Sequence, residues 1–155
     1  MILSPGKLID KIESEVRVRL GPGVEAVAFF TPRSPLAEGL SKREARQQQS
    51  RAAAFALTPD RIQAFSFKDR GWTGIGTIQE QLGSWPRSGV RVERSATEDR
   101  VRLEDGPMTV TRNLVTLGFP GGSSIMLVAD EGIERRRDLA ETFLSMLGGS
   151  AVPPR

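Results

Sequence analysis

Cysteine, histidine and tyrosine are absent from the 155 residues of this chain. Without cysteine there can be no disulfide, no thiolate metal ligand and no thiol nucleophile. Without histidine, the commonest transition-metal ligand and the proton carrier that works near neutral pH are missing. Because these ligands are missing, we expect neither a structural metal nor a cofactor, although carboxylate sites for hard cations remain open to such a chain.

Recognised catalytic motifs are missing as well. Gly74-x-Gly76 is followed by Gln79, where a dinucleotide-binding loop requires glycine, and the Gly-x-Ser-x-Gly turn of serine hydrolases does not occur. The carboxylates considered for acid-base chemistry nearly all fall in predicted turns, where solvent keeps the pKa of a carboxyl group near its ordinary value. They are Asp60, Asp69, Glu80, Glu98, Asp99, Glu104 and Asp105. The sequence therefore predicts a non-enzymatic protein.

Long apolar runs are absent too. The first residues, MILSPGKLIDKIESEV, turn acidic by Asp10 without a long apolar stretch, so they do not read as a secretory signal. No run of about 18 apolar residues occurs, as a transmembrane helix would require. We expect a cytoplasmic protein with a single domain over residues 1–149.

The positive charge is concentrated in one segment. The chain has a net charge of +3, and between residues 31 and 51 five basic residues against two acidic residues account for all of it. The basic residues are Arg33, Lys42, Arg43, Arg46 and Arg51. They are candidates for contact with an anion or a partner, whereas the small total charge makes nucleic acid an unexpected ligand.

Most of this segment, residues 31–50, is predicted to be a long basic loop that buries little, because it holds few large apolar residues. Ser41 and Glu44 have the spacing of a capping box, which predicts a short helix from Ser41 to Gln49. Loops of this length are often functional or disordered. The composition leaves open whether the segment is a contact surface or a solvated linker.

Two amphipathic helices are predicted near the ends of the chain. Residues 4–20 repeat apolar positions every three to four residues, with Ser4 placed to cap the first turn. Residues 131–147 form the second helix, with Asp130 as its cap. Its apolar stripe consists of Ile133, Ala140, Phe143, Leu144 and Leu147. The tail, residues 150–155, is expected to be disordered.

Between the helices, apolar and alternating runs separated by turn residues predict about seven antiparallel strands. Residues 95–99 are predicted to be the turn of a hairpin that joins residues 90–94 to residues 101–103. A further turn is predicted at Asp105-Gly106. The other predicted strands are residues 24–30, 52–58, 62–67, 75–82, 113–119 and 124–129.

The stretch AFALTPDRIQAFSF predicts a hairpin around Pro59-Asp60. One face of this hairpin would carry Phe55, Leu57, Ile62 and Ala64. Phe65 and Phe67 fall on the opposite face. Apolar residues on both faces indicate a strand that the interior of a barrel covers on one side and a helix covers on the other, or a bulge that begins at these phenylalanines.

The order of these elements resembles that of pleckstrin-homology-like (PH-like) domains. AFALTPDRIQAF resembles a strand, Leu-Thr-x-x-Arg-Ile, strand hairpin common in bacterial PH-like proteins. LGSWPRSGVRV is similar to the glycine, proline and basic residue that lead into their next strand. The resemblance covers residues 24–148 and fits uncharacterised proteins of the actinobacterial type best. It implies an α+β, mainly β domain, in which an antiparallel, partly open barrel of about seven strands carries an N-terminal helix and a C-terminal helix that caps one end.

PH-like domains bind lipids, peptides and proteins on one scaffold. The resemblance therefore implies a binding module without enzymatic activity. We expect it to bind a protein or a peptide, self-association included, along an exposed strand edge or in the groove between barrel and C-terminal helix. The alternatives are weak contact with an anionic membrane through residues 31–51 and a small-ligand or enzymatic pocket inside the barrel.

Three residues outside the basic segment are further candidates. Arg61, next to the hairpin turn, could contact a ligand or form an ordinary surface ion pair. Trp72 and Trp85 each stand two residues from an arginine, an arrangement that also occurs where aromatic rings stack on nucleobases. Packing at the rim of the barrel is the commoner use of such residues, so we expect rim aromatics.

Overall fold

A computed structural model describes residues 4–69, 73–129 and 134–148. The helices within these ranges are α1 (Pro5–Leu20), α2 (Lys42–Gln49) and α3 (Glu134–Gly148). The strands are β1 (Ala26–Pro32), β2 (Ala53–Leu57), β3 (Arg61–Phe67), β4 (Ile78–Pro86), β5 (Arg91–Leu103), β6 (Gly106–Gly118) and β7 (Ser124–Ala129). The α+β, mainly β class expected from the sequence is confirmed.

The seven strands form one antiparallel sheet in the order β4-β3-β2-β1-β7-β6-β5. Strands that follow each other in the chain pair as hairpins, except β4 and β5, which lie at the two edges. A short pairing of Phe30–Pro32 with Leu127–Ala129 joins β1 to β7 in the middle of the sheet. Because no described pairing joins β4 to β5, the sheet stays open between them.

The sheet curls so that both of its edges contribute to one apolar interior. Trp85 of β4 stacks on Phe119, which follows β6, with ring centroids 5.7 Å apart and planes inclined by 7°. Phe30, Phe55 and Phe143 fill the centre of this interior and are fully buried. Phe143 belongs to α3, so the C-terminal helix packs into the curled sheet, as expected for a partly open barrel with a capping helix.

Helix α1 covers the opposite face of β1 to β4. Its residues Ile9, Ile12 and Val16 recur every three to four positions and are fully buried, in a second cluster that includes Phe65 and Phe67 of β3. Both faces of β3 are therefore covered, as the pattern predicts. The pairing of β3 with β4 also shifts register on both sides of Phe65, so the expected bulge is present as well.

The predicted hairpin around Pro59-Asp60 is confirmed. Thr58 N donates to Arg61 O at 3.0 Å, and Arg61 N donates to Thr58 Oγ1 at 3.2 Å. Thr58 Oγ1 donates in turn to the Asp60 carboxylate at 3.2 Å. The turn is thus held by both backbone and side chain, and the face predicted to be shared by β2 and β3 lies in the interior.

The predicted turn at residues 95–99 is wrong. β5 is a single strand, and every residue from Arg91 to Leu103 pairs with β6. The chain reverses only at Glu104-Asp105, one residue from the turn predicted at Asp105-Gly106, and the φ of +115° at Gly106 suits glycine. Ser, Ala, Glu and Asp are poor strand formers alone, but continuous pairing with a long partner strand outweighs that propensity.

Two strand boundaries also differ from the expectation. β4 begins at Ile78 and ends at Pro86 rather than spanning residues 75–82, because Trp85 packs into the interior and extends the strand to the edge proline. β1 runs from Ala26 to Pro32. Val24, where the predicted strand begins, lies before β1 and packs with the cluster under α1.

The ends of the helices agree with the predicted caps where they are described. Ser4 Oγ accepts a hydrogen bond from Lys7 N at 3.4 Å at the start of α1. Ala140, Phe143 and Leu144 form the buried stripe of α3. Asp130 and Ile133 lie outside the described residues, as does the tail from residue 150.

The basic segment folds onto the domain more closely than its composition predicts. Ser41 and Glu44 form the expected capping box at the start of α2. Little burial was expected, but Leu36 is only 5% exposed and belongs to the barrel interior. Leu36 N donates to Gln48 Oε1 of α2 at 2.9 Å. Leu36 therefore anchors the segment in the barrel, and Gln48 ties α2 to the backbone of Leu36.

Candidate functional site

A groove runs between the start of β5 and the C-terminal half of α3, and we call it the β5–α3 groove. Its volume is about 410 Å³. The strand side is lined by Val90, Arg91, Val92, Glu93 and Arg94, and the helix side by Glu141, Leu144, Ser145, Leu147 and Gly148. Val90, Val92 and Leu147 are partly buried and pack against the barrel core, so the floor of the groove is apolar.

The strand wall of this groove is an unpaired sheet edge. Within the described residues β5 pairs with β6 and with no other strand. In an antiparallel strand, alternate residues direct their N–H and C=O groups to opposite sides, so the groove side of β5 presents main-chain donors and acceptors without a strand partner. An extended chain in the groove could form hydrogen bonds with them.

An ion pair joins the two walls of the groove. Arg94 Nη1 donates to Glu141 Oε2 at 2.9 Å, and Arg94 Nη2 donates to the other carboxylate oxygen. The hydrogen bonds from Arg94 hold the pKa of Glu141 below its ordinary value, against a smaller opposing effect of burial. This bidentate contact fixes the width of the groove at that point.

A second arginine fixes the C-terminal end of α3. Arg87, in the connection between β4 and β5, donates to Met146 O of α3 at 3.2 Å and to Thr58 O at 3.1 Å. It also lies 3.0 Å from Glu25 Oε1. One guanidinium thus ties the helix to the hairpin turn and to the start of β1.

The five basic candidates of the 31–51 segment are not gathered at one site. Arg33 forms a two-bond pair with Asp99 at 2.6 and 2.9 Å, and Arg51 lies 3.1 Å from Asp69. The remaining three, Lys42, Arg43 and Arg46, are exposed residues of α2. Two of the five cations are therefore used in ion pairs within the domain.

Two of the other candidates, Arg61 and Trp85, contact neighbouring residues of the protein. Arg61 is exposed, and its Nε donates to Ser84 Oγ at 2.6 Å. Trp85 is partly buried and lies between Phe55 and Phe119, in stacked contacts at 6.4 and 5.7 Å. Its ring packs against the barrel interior through these two phenylalanines. Trp72 lies outside the described residues.

A binding pocket inside the barrel would require space that the described side chains occupy. Phe30, Phe55 and Phe143 contact one another there at centroid distances of 5.4 and 5.7 Å, each pair sharing Phe30. No three acidic residues group as a cation site in the described part of the chain. None of the helices in these ranges is both long enough and apolar enough to cross a bilayer.

The sequence predicts the groove and the apolar stripe of α3 that lines it, but not the arginine contacts that join its walls. Arg94 and Glu141 are 47 positions apart, and Arg87 and Met146 are 59 apart. Each is an ordinary charged or apolar residue of a predicted element. A local pattern carries no sign of such pairing, so only the folded arrangement identifies these residues.

Comparison of the chain with protein-family models, with curated proteins and with solved structures finds no match.

Proposed function

We propose that this chain is a PH-like binding module that holds an extended peptide segment of another protein in the β5–α3 groove. The observation that carries the proposal is the position of a free strand edge, residues 90–94, opposite the apolar residues of α3. The strand order and the packing of α3 into the curled sheet support the PH-like part of the proposal.

The chemistry of the groove suits a peptide in extended conformation. Main-chain hydrogen bonds to the edge of β5 would give affinity that does not depend on the sequence of the peptide. Every second side chain of the peptide would then point into the groove, where Val92 and Leu147 offer apolar contact. The groove therefore favours a peptide with apolar residues at alternate positions.

Selection from a displayed library of random peptides about 12 residues long tests the proposal, since such a peptide is longer than the strand wall. We expect enriched peptides to bind the wild-type protein. Their affinity for the Leu147→Glu variant, which places a charge on the apolar floor, should be at least about tenfold lower. Met146→Glu is the matched control, because Met146 is the neighbouring helical residue, is 41% exposed and does not line the groove.

Two results would contradict the proposal. One is a selection that enriches no peptide. The other is a set of peptides whose affinity falls equally in Leu147→Glu and Met146→Glu. Amide chemical shifts of residues 90–94 give a second readout, since an added strand must perturb them.

Membrane contact through residues 31–51 has weaker support. Arg33 and Arg51 are paired with Asp99 and Asp69, which leaves the three cations of α2 for a membrane surface. Each basic residue near an anionic surface contributes about 1 kcal/mol, so three would give a weak and salt-sensitive attachment. Sedimentation with anionic liposomes at low and high salt tests this alternative, and no binding at low salt would remove it.

A further inference from the structure

The β5–β6 hairpin extends beyond the rest of the sheet. β7 pairs with Leu114–Gly118 of β6, so the distal parts of the hairpin, residues 96–103 and 106–113, pair only with each other among the described strands. We call these two strand segments and their turn the ribbon. A two-stranded hairpin alone is marginally stable in water, and it gains stability when a surface covers its apolar face.

One face of the ribbon is apolar and exposed. Val101 pairs with Met108 across the hairpin, and the alternation of side chains places the neighbouring apolar residues on the same face. Leu103 is 50% exposed and Met108 is 53% exposed. The complete apolar set is Val101, Leu103, Met108 and Val110. The opposite face is mostly polar and carries Ala96, Glu98, Arg100, Arg102, Pro107, Thr109, Thr111 and Asn113.

The base of the same face is cationic. Asp99 and Arg112 share the alternation of the apolar set, and Arg33 reaches Asp99 from the end of β1. Two arginines and one aspartate leave a net charge of +1 here. The two guanidinium side chains are 36% and 42% exposed, beside an open cleft of about 510 Å³ that Gln49 and Ser50 also line. We call this the arginine cleft.

The tip of the ribbon is acidic. The turn consists of Glu104 and Asp105, both exposed. The face therefore changes from cationic at its base, through an apolar middle, to acidic at its tip. The distance from Asp99 to Glu104 is five residues, or about 17 Å along the strand.

We propose that two copies of this chain associate through the ribbon about a twofold axis. A twofold interface brings the same surface of both copies together in opposite directions. The acidic tip of each copy then meets the arginine cleft of the other, and the two apolar middles pack against each other. This face favours a second copy of the chain as its partner, because its own acidic tip and cationic base supply the two opposite charges that the contact requires.

The size of the face sets the strength of the contact. Eight residue pairs give a face about 26 Å long and about 10 Å wide in each copy, which is small for a stable interface. We therefore expect a weak dimer that dissociates as salt screens the contact between tip and cleft. The β5–α3 groove lies at the other end of β5, so dimerisation and peptide binding can succeed or fail separately.

Sedimentation velocity on the full chain, from about 5 to about 500 µM and at about 50 and 500 mM salt, tests the proposal. We expect dimers at the higher concentrations that weaken in high salt. Met108→Lys should weaken the dimer at least about tenfold, because it places a charge in the apolar middle. Val18→Lys is the control, since Val18 is 83% exposed on α1, away from the ribbon. If circular dichroism shows that Met108→Lys does not fold, Leu103→Glu is used in its place.

A charge exchange distinguishes this interface from any other association. The double variant Glu104→Arg with Asp105→Arg makes the tip basic, and Arg112→Glu makes the cleft acidic. Each variant should be monomeric alone, because its tip and cleft then have like charges. Mixed, the two should form a heterodimer, since both contacts are again between opposite charges.

Three results would overturn the proposal: a wild-type chain that stays monomeric over the whole range, a dimer that persists unchanged in Met108→Lys and Leu103→Glu, or folded charge variants that form no heterodimer.

Discussion

The indole ring of Trp85 lies over the α-carbon of Gly83, two residues earlier on β4. A Cβ atom at residue 83 would come within 2.4 Å of Trp85 Cη2 and 2.5 Å of Cζ2, far closer than carbon atoms approach without strain. Glycine at this position therefore permits the indole to reach its place between Phe55 and Phe119. The contact between Trp85 and Phe119 holds the two sides of the open barrel together, because it joins β4 to the residues that follow β6.

Gly83→Ala is accordingly expected to destabilise the protein by about 1–3 kcal/mol, the usual cost of an overpacked core position. Urea denaturation followed by tryptophan fluorescence measures the change. Gly6→Ala is the control, because a Cβ at Gly6 meets no atom within 4 Å and alanine favours the helix by about 0.5–1 kcal/mol. Equal stability of Gly83→Ala and the wild type would show that Trp85 moves aside freely.

Leu36→Ala tests whether residues 31–50 are part of the folded unit. Leu36 is 5% exposed in the barrel interior, so its truncation should lower the free energy of unfolding by about 2–4 kcal/mol. Amide hydrogen exchange in α2 should also quicken, because Leu36 N bonds to Gln48 of that helix. Leu40→Ala, at a partly buried position of the same segment, should have a smaller effect on both measurements. No loss of stability in Leu36→Ala would contradict the anchoring of the segment by Leu36.

Arg87→Met tests the tie between α3 and the β2–β3 turn. The variant keeps an unbranched apolar chain but leaves Thr58 O and Met146 O without the guanidinium donor. We expect a loss of about 1–2 kcal/mol and faster exchange in the last turn of α3, measured by hydrogen exchange with mass spectrometry. Arg87→Lys should recover little of the stability lost in Arg87→Met, because an ammonium group lacks the planar fork that reaches both carbonyls. If exchange in α3 is unchanged, the helix is held by its apolar stripe alone.

The parts of the fold that the sequence predicts are those in which burial imposes a period. Ile9, Ile12 and Val16 recur at helical spacing because one side of α1 is buried. Phe65 and Phe67 occupy the face opposite Ile62 because both faces of β3 are covered. In each case one local stretch contains the whole signal.

The features that the sequence does not predict depend on partners distant in the chain. Residues 95–99 form strand because residues 110–114 lie opposite them, although their own propensities favour a turn. Leu36 is buried among core residues that are distant in the chain, and no local pattern indicates this. The groove was expected in general terms from the resemblance to PH-like domains, but Arg94 and Glu141 are joined across it only in the folded chain.

Acid should weaken the contact between Arg94 and Glu141. The hydrogen bonds from Arg94 lower the pKa of Glu141 in the folded state from its ordinary value of 4.5, so the folded state binds this proton less readily than the unfolded state. The contribution to stability is therefore present above the unfolded pKa and is lost as the pH falls through the lower, folded pKa.

Glu141→Gln should then be less stable than the wild type at pH 7, by less than about 1 kcal/mol because the glutamate side chain is 45% exposed. The difference should shrink as the pH falls below the ordinary value of 4.5 and disappear once the pH is below the lowered pKa of Glu141 in the folded state. Urea midpoints of both proteins at several pH values measure it. Glu93→Gln is the control, since Glu93 is an exposed residue of the same groove, next to Arg94. A difference that stayed constant down to pH 3 would mean that packing of the side chain, and not its charge, carries the effect of Glu141.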